Sequence, residues 1–305
     1  MRRRLLISLV AAALLWLAGT LVAALMLPRL LLGAALPRRT EAQREALRAE
    51  LRGEGHWTCH RVPGGQGAPL EIWWLHRPGS RGAAVLLHGF GDDGWGPAPL
   101  ARSLPGWDIL LFTFRGRDRE PAWPATLGGH ERWDAVSAVR LAEAGGWPRD
   151  RVLFVASSQG AGVALLALQA LEAEGRPLGG ALLESPYRDL RDAARNHVRG
   201  FLGGGEWLSR PAVALALRRA GRLAAFDPEE VSPLRAARGL RTPVALLAGD
   251  GDQVTPLAGV RDLARALPDL TVVPGAGHGE AAARMPGGWA AWAESRLDRW
   301  GLGKN

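Results

Sequence analysis

Val152-Leu153-Phe154-Val155-Ala156-Ser157-Ser158-Gln159-Gly160 is the stretch on which the fold of this chain turns. Four apolar residues lead into a cluster of small ones, and a helix-like run from Ala161 to Leu171 follows directly. Continuous apolar strands belong in sheets covered on both faces. A serine on a sharp turn between such a strand and a helix is held out for chemistry. The turn crowds the backbone, so small residues are needed two positions to either side of the serine. Ala156 and Gly160 meet that need around Ser158, whereas Ser157 would require a small residue at position 159 and finds Gln159. Ser158 is therefore the candidate nucleophile.

Short apolar or β-prone runs recur on both sides of this stretch. Residues 57–62 and 70–76 flank Pro63-Gly64-Gly65 and predict an antiparallel hairpin. Further strands are predicted at 83–87, 108–114, 180–183, 243–247 and 270–273. Helical patterns lie at 98–104, 131–144, 161–174, 257–267 and 289–302. Strands alternating with helices imply a mostly parallel sheet with helices on both faces. Residues 187–239 break the alternation with helical pieces and glycines, as a cap over a pocket would.

Two later loops test the serine. Ala248-Gly249-Asp250-Gly251-Asp252-Gln253-Val254-Thr255-Pro256 follows one predicted strand, and Val273-Pro274-Gly275-Ala276-Gly277-His278-Gly279 follows the last. With Ser158 they make the order serine, acid, histidine. In these motifs the chain resembles the α/β-hydrolase superfamily over about residues 56–303. The usual glycine at the first position of the serine turn is Ala156 here, one methyl larger. The resemblance selects Asp252 as the acid and His278 as the base, and implies an acyl-enzyme mechanism. It also implies an oxyanion hole from the backbone N–H groups of Gln159 and of Phe90, the latter in His88-Gly89-Phe90-Gly91 after a predicted strand. His88, Gly89 and Gly91 are expected beside the substrate. The implied substrate is a small-molecule or lipid-like ester or thioester. A peptidase of the same fold and a non-catalytic membrane-tethered binding protein are the alternative readings.

Other residues admit more than one role. Asp250 and Glu184 are alternative acids. His88 is expected to bond backbone within its loop. His56 and His60 share a strand face and lack a third ligand in the sequence, so no metal is assigned and no cofactor is required. Arg115 to Arg119 reads as a surface loop of mixed charge, with binding of an acidic group as the alternative. His130 is expected to cap or pack, and Cys59, the one cysteine, to be a small buried strand residue. Gly203-Gly204-Gly205 lacks the lysine of a phosphate loop.

Composition bounds the rest. The 305 residues, 47% of them hydrophobic, suffice for one large buried core plus an appendage. The formal charge of +8 is concentrated at the front, where residues 1–39 hold six arginines and no acid. The remainder carries only +2 and no basic stripe, so nucleic acid is not an expected partner. Residues 5–27 are uncharged, and as a helix they would span about 34 Å, enough to cross a bilayer. The run exceeds the apolar region of a cleavable signal, which favours an uncleaved anchor over a cleaved signal or a hairpin. Arg2, Arg3 and Arg4 favour a cytoplasmic N-terminus, with the main domain outside a bacterial inner membrane, although Arg29, Arg38 and Arg39 weaken the asymmetry. The expected organisation is an anchor at 1–39, a solvated helical connector at 40–55, and a hydrolase domain at 56–303 with the cap at 187–239.

Overall fold

The computed structural model describes residues 2–33, 38–116, 123–202 and 206–303. Its strands are β1 (His56–Pro63), β2 (Pro69–His76), β3 (Ala83–Leu87), β4 (Asp108–Phe112), β5 (Val152–Ser157), β6 (Gly180–Glu184), β7 (Val244–Gly249) and β8 (Asp269–Val273). They form one sheet in the order β1-β2-β4-β3-β5-β6-β7-β8. β1 and β2 make the expected hairpin, and β2 pairs antiparallel with β4; from β4 to β8 every pairing is parallel. Parallel strands aim their C-terminal ends at one edge, which is where such sheets place their ligands.

The helices are α1 (Arg2–Gly33), α2 (Glu41–Glu50), α3 (Glu131–Ala144), α4 (Gln159–Ala173), α5 (Leu190–Leu202), α6 (Glu206–Leu223), α7 (Pro233–Ala236), α8 (Leu257–Ala264), α9 (Ala281–Arg284) and α10 (Trp289–Arg299). β5 shows how they close the core. Phe154 and Ala156 face a cluster with residues of α3, α4 and α8, while Leu153 and Val155 face another with residues of α10. Both faces are covered, so the strand is apolar without alternation. α4 is buried at every residue from Gln159 to Leu168, which makes it the central helix of its layer.

Between β6 and β7, α5, α6 and α7 build a third apolar cluster around Leu190, Val213, Leu217 and Ala236, with Tyr187 and Leu166 beneath. The glycines at 203–205 lie outside the described residues, as do Arg117 to Arg119.

α1 is long and apolar enough, between Arg4 and Arg29, to cross a membrane by length and composition. Leu5, Leu6, Leu9, Val10, Leu14 and Leu15 are exposed along its first half. Its last third behaves differently. Thr20, Ala24 and Pro28, four residues apart and hence on one face, are buried where α1 lies against α6.

Three sequence expectations need correction. α2 opens on a Thr40–Gln43 capping box, and one face of it is docked where a wholly solvated connector was expected. Leu47 and Leu51 pack into the sheet cluster, and the Arg48 guanidinium lies 4.3 Å over the Trp73 ring. Cys59 is exposed, because edge strand β1 alternates and turns this residue to solvent. Arg115 does not sit on a surface loop. It is buried, pairs with Asp134 at 2.8 and 3.1 Å, and bonds the Gly65 carbonyl, tying α3 to the hairpin.

Candidate active site

Four strand ends deliver the candidate residues to one place. Ser158 follows β5 and precedes α4 with φ +54° and ψ −115°, a backbone region that L-residues rarely occupy. A side chain at Gly160 would bring its Cβ to 2.4 Å from the Leu87 carbonyl oxygen of β3, so the small residue there is obligatory. The Ser158 hydroxyl lies 2.8 Å from His278 Nε2, and His278 Nδ1 lies 2.8 Å from Asp252 Oδ2. Because a carboxylate can only accept, Nδ1 carries the imidazole proton and Nε2 is free to accept from the serine.

Asp252 is buried, its side chain 1% exposed against 26% for His278. Burial alone would raise its carboxyl. Hydrogen bonds from His278 and from the N–H and hydroxyl of Thr255 outweigh burial and hold it below the usual carboxylate range. Asp250 is occupied elsewhere, accepting from Gly275 N–H at 2.6 Å and so bracing the histidine loop. Glu184, at the end of β6, accepts from Ala282 N–H at 2.9 Å. Burial pushes its carboxyl up. The carboxylate on His278 Nδ1 is that of Asp252.

The loop after β3 runs beside the serine. His88 is buried; its Nε2 accepts from Phe114 N–H at 3.0 Å, so Nδ1 bears the proton and donates to the Gly89 carbonyl at 2.9 Å. Gly89 would place a Cβ 3.5 Å from Ser158 Cβ, and Gly91 holds a left-handed φ of +90°. Phe90 lies between these glycines and borders both cavities at the serine. Gln159 opens α4, so its backbone N–H belongs to a helix N-terminus that favours negative charge. Its buried side-chain amide has no hydrogen-bond partner among the described residues.

A cavity of about 560 Å³ is bordered by His88, Gly89, Glu184, His278, Trp289 and Trp292. A second, of about 340 Å³, is bordered by Tyr187, His197, Val213 and Leu217 with Leu27 of α1. Ser158 borders both. His197 is pushed down by burial, so its imidazole is neutral near pH 7.

A profile of the alpha/beta hydrolase family matches residues 84–292. This chain belongs to that family. An acetyl-hydrolase of Streptomyces hygroscopicus is 38% identical over 94 residues, 30% of this chain and 29% of that protein. The chain thus matches less than a third of the length of that relative. Among solved structures, the esterase Pf2001 of Pyrococcus furiosus superposes with TM-score 0.66 at 20% identity, over 87% of this chain and 97% of that one. The propionate-bound esterase Est2 of Thermogutta terrifontis gives 0.61 at 18%, over 84% and 97%. A puromycin-hydrolyzing peptidase of Mycobacterium tuberculosis gives 0.58 at 21%, over 82% and 40%. At these identities the likeness is one of fold.

Within this alpha/beta hydrolase, sequence reasoning missed Thr255, whose hydroxyl donates to Asp252 at 2.7 Å. A hydroxyl residue three after the aspartate was the available signal, since such spacing closes a local turn. It also missed Leu27, Tyr187 and His197 as cavity walls, because helix-helix docking leaves no local motif. His130 packs: its Nε2 lies 3.1 Å from the Ala224 carbonyl. His56 stacks on His76, and the Thr58 hydroxyl bridges His60 and His76 at 2.8 and 2.9 Å.

Proposed function

We propose that this chain is a membrane-anchored serine hydrolase that cleaves carboxylic esters or thioesters through an acyl-enzyme. The observation that carries this reading is the unbroken hydrogen-bonded chain from Ser158 through His278 to Asp252. A serine hydroxyl is a poor nucleophile until a base takes its proton. Ser158 Oγ attacks the carbonyl carbon as its proton passes to His278 Nε2. The imidazolium that forms is stabilised by Asp252, which stays ionised. Phe90 and Gln159 N–H groups receive the negative oxygen, each worth about 3 kcal/mol in the transition state. His278 then protonates the departing alcohol or thiol. Water, deprotonated by the same imidazole, attacks the acyl-serine, releases the acid and restores the hydroxyl. No metal or organic cofactor is needed for these steps.

The acetyl-hydrolase relative supports an ester over a peptide bond. The exposed apolar length of α1 supports the anchor, and the apolar cluster shared by α5, α6 and α7 supports residues 187–239 as a cap over the site. Arg2, Arg3 and Arg4 at the start of α1 favour a cytoplasmic N-terminus with the hydrolase domain outside.

A panel of p-nitrophenyl esters of rising chain length, run beside Ser158→Ala, tests the assignment. By analogy with serine proteases the variant should lose on the order of 10⁶ in turnover. Equal rates in the two proteins would sink it. A folded protein that takes no fluorophosphonate label would favour a binding module instead.

A further inference from the structure

The two cavities meeting at Ser158 differ in chemistry and are not interchangeable. His278 borders the larger one and not the smaller. The group that leaves must take its proton from His278, so the leaving group belongs on that side and the acyl group in the smaller cavity. That cavity is apolar. Its residues are chiefly Leu27, Leu127, Leu190, Val198, Val213 and Leu217. Two of its polar groups are turned to other work: Tyr187 donates to the Leu127 carbonyl and Thr255 to Asp252. The Gln159 amide and the His197 imidazole are its other polar groups beside Ser158; the rest of the wall is aliphatic or aromatic and favours an apolar acyl group, and its volume of about 340 Å³ suits an extended hydrocarbon.

Leu27 comes from α1, outside the hydrolase domain. The last third of α1 lies along α6, and beyond Leu27 the Leu32 carbonyl accepts from Ala125 N–H at 3.0 Å. Leu27 is two residues short of Arg29, where the apolar span ends. With α1 in a bilayer, the cavity therefore sits at the depth of the headgroup boundary, where lipid ester carbonyls lie. α6 agrees with that placement. Of the described residues outside α1, Leu215 and Leu223 of α6 are two of the three large hydrophobics left exposed, beside Arg218, Arg219 and Arg222. Apolar residues among arginines suit a lipid surface.

We propose that the acyl chain of a bilayer-resident ester enters the smaller cavity, and that Leu27 of the anchor forms one wall of it, so that the anchor sets chain-length preference. This rests on the ester-hydrolase reading above. The full chain in phospholipid nanodiscs is assayed with p-nitrophenyl acetate and dodecanoate, as wild type, Leu27→Trp and Leu27→Ala. Binding of dansyl-undecanoic acid is measured for the same three on the Ser158→Ala background. Leu27→Trp should lower the dodecanoate-to-acetate ratio of kcat/KM by about tenfold or more and weaken probe binding similarly. Leu27→Ala should move both the other way, which separates a filled cavity from a damaged fold. An unchanged ratio in both variants overturns the proposal, whatever the probe does. If neither ester is turned over but probe binding still follows Leu27, the ester reading fails and the chain-binding cavity stands.

The source of the chain is tested separately. Leu215→Glu with Leu223→Glu should slow hydrolysis of a dodecanoyl ester in phosphatidylcholine vesicles by about tenfold relative to the same ester in detergent micelles. An equal effect in both media overturns the bilayer source.

Discussion

Ser158 shows what one residue costs and supplies. Its left-handed φ of +54° is held by β5 on one side and α4 on the other, at about 1–3 kcal/mol of backbone strain. Ser158→Gly should therefore stabilise the fold by about 1 kcal/mol in denaturant titrations while abolishing turnover, and Ser158→Ala should not stabilise it. Glu184 makes a second prediction. Burial raises its carboxyl, so the folded state holds that proton more tightly than the unfolded chain. Its contribution to stability is full below the ordinary carboxyl range and is lost as pH rises through the raised value. Glu184→Gln keeps the acceptor for Ala282 N–H, and its melting temperature should exceed wild type at about pH 8 and converge with it near about pH 4. Asp252 has the opposite sign, since its lowered carboxyl stabilises above the ordinary range and ceases to as pH falls. At this scale Ser158, Asp252 and His278 were legible because each lies in a short motif after an apolar run. Thr255 was not, because a hydroxyl supporting an acid looks like any loop threonine.

Among the elements, β5 and β1 show why some strands were easier to read than others. β5 is sandwiched, so its run of apolar residues has no other use. Phe154→Ala should cost about 3–5 kcal/mol by chemical denaturation, through lost burial and the cavity left behind. β1 lies at the sheet edge, and its Cys59 faces water. Cys59→Ser should stay within about 0.5 kcal/mol of wild type in the same measurement. Burial there depends on which strand is outermost, a fact of sheet order that no single segment carries. Arg115 was misplaced for a related reason. Its partner Asp134 lies on α3, and only the folded chain brings the two charges together under Gly65.

For the whole molecule, the informative contacts are those between the N-terminal region, α1 and the residues just after it, and the rest. A helix of apolar composition reads as a membrane span whatever else it touches, so its docking on α6 had no sequence signal. A second tie lies just after it. The Arg39 guanidinium reaches Asp92 and Asp93 at 2.6 Å each, and Arg39 N–H reaches Asp93 at 2.9 Å, directly behind the loop that carries Phe90. Asp93 is buried, with its side chain 1% exposed, while Arg39 is a third exposed. Arg39→Ala should thus cost on the order of 1 kcal/mol, at the low end for stranding a buried carboxylate, read from the denaturation midpoint. Cutting away the front of this protein is consequently not one operation but two. Starting at residue 38 forfeits the Leu27 wall and keeps the clamp; starting at residue 41 forfeits both and leaves Asp93 without its main counter-charge. Two laboratories choosing those two starting points would be measuring different enzymes.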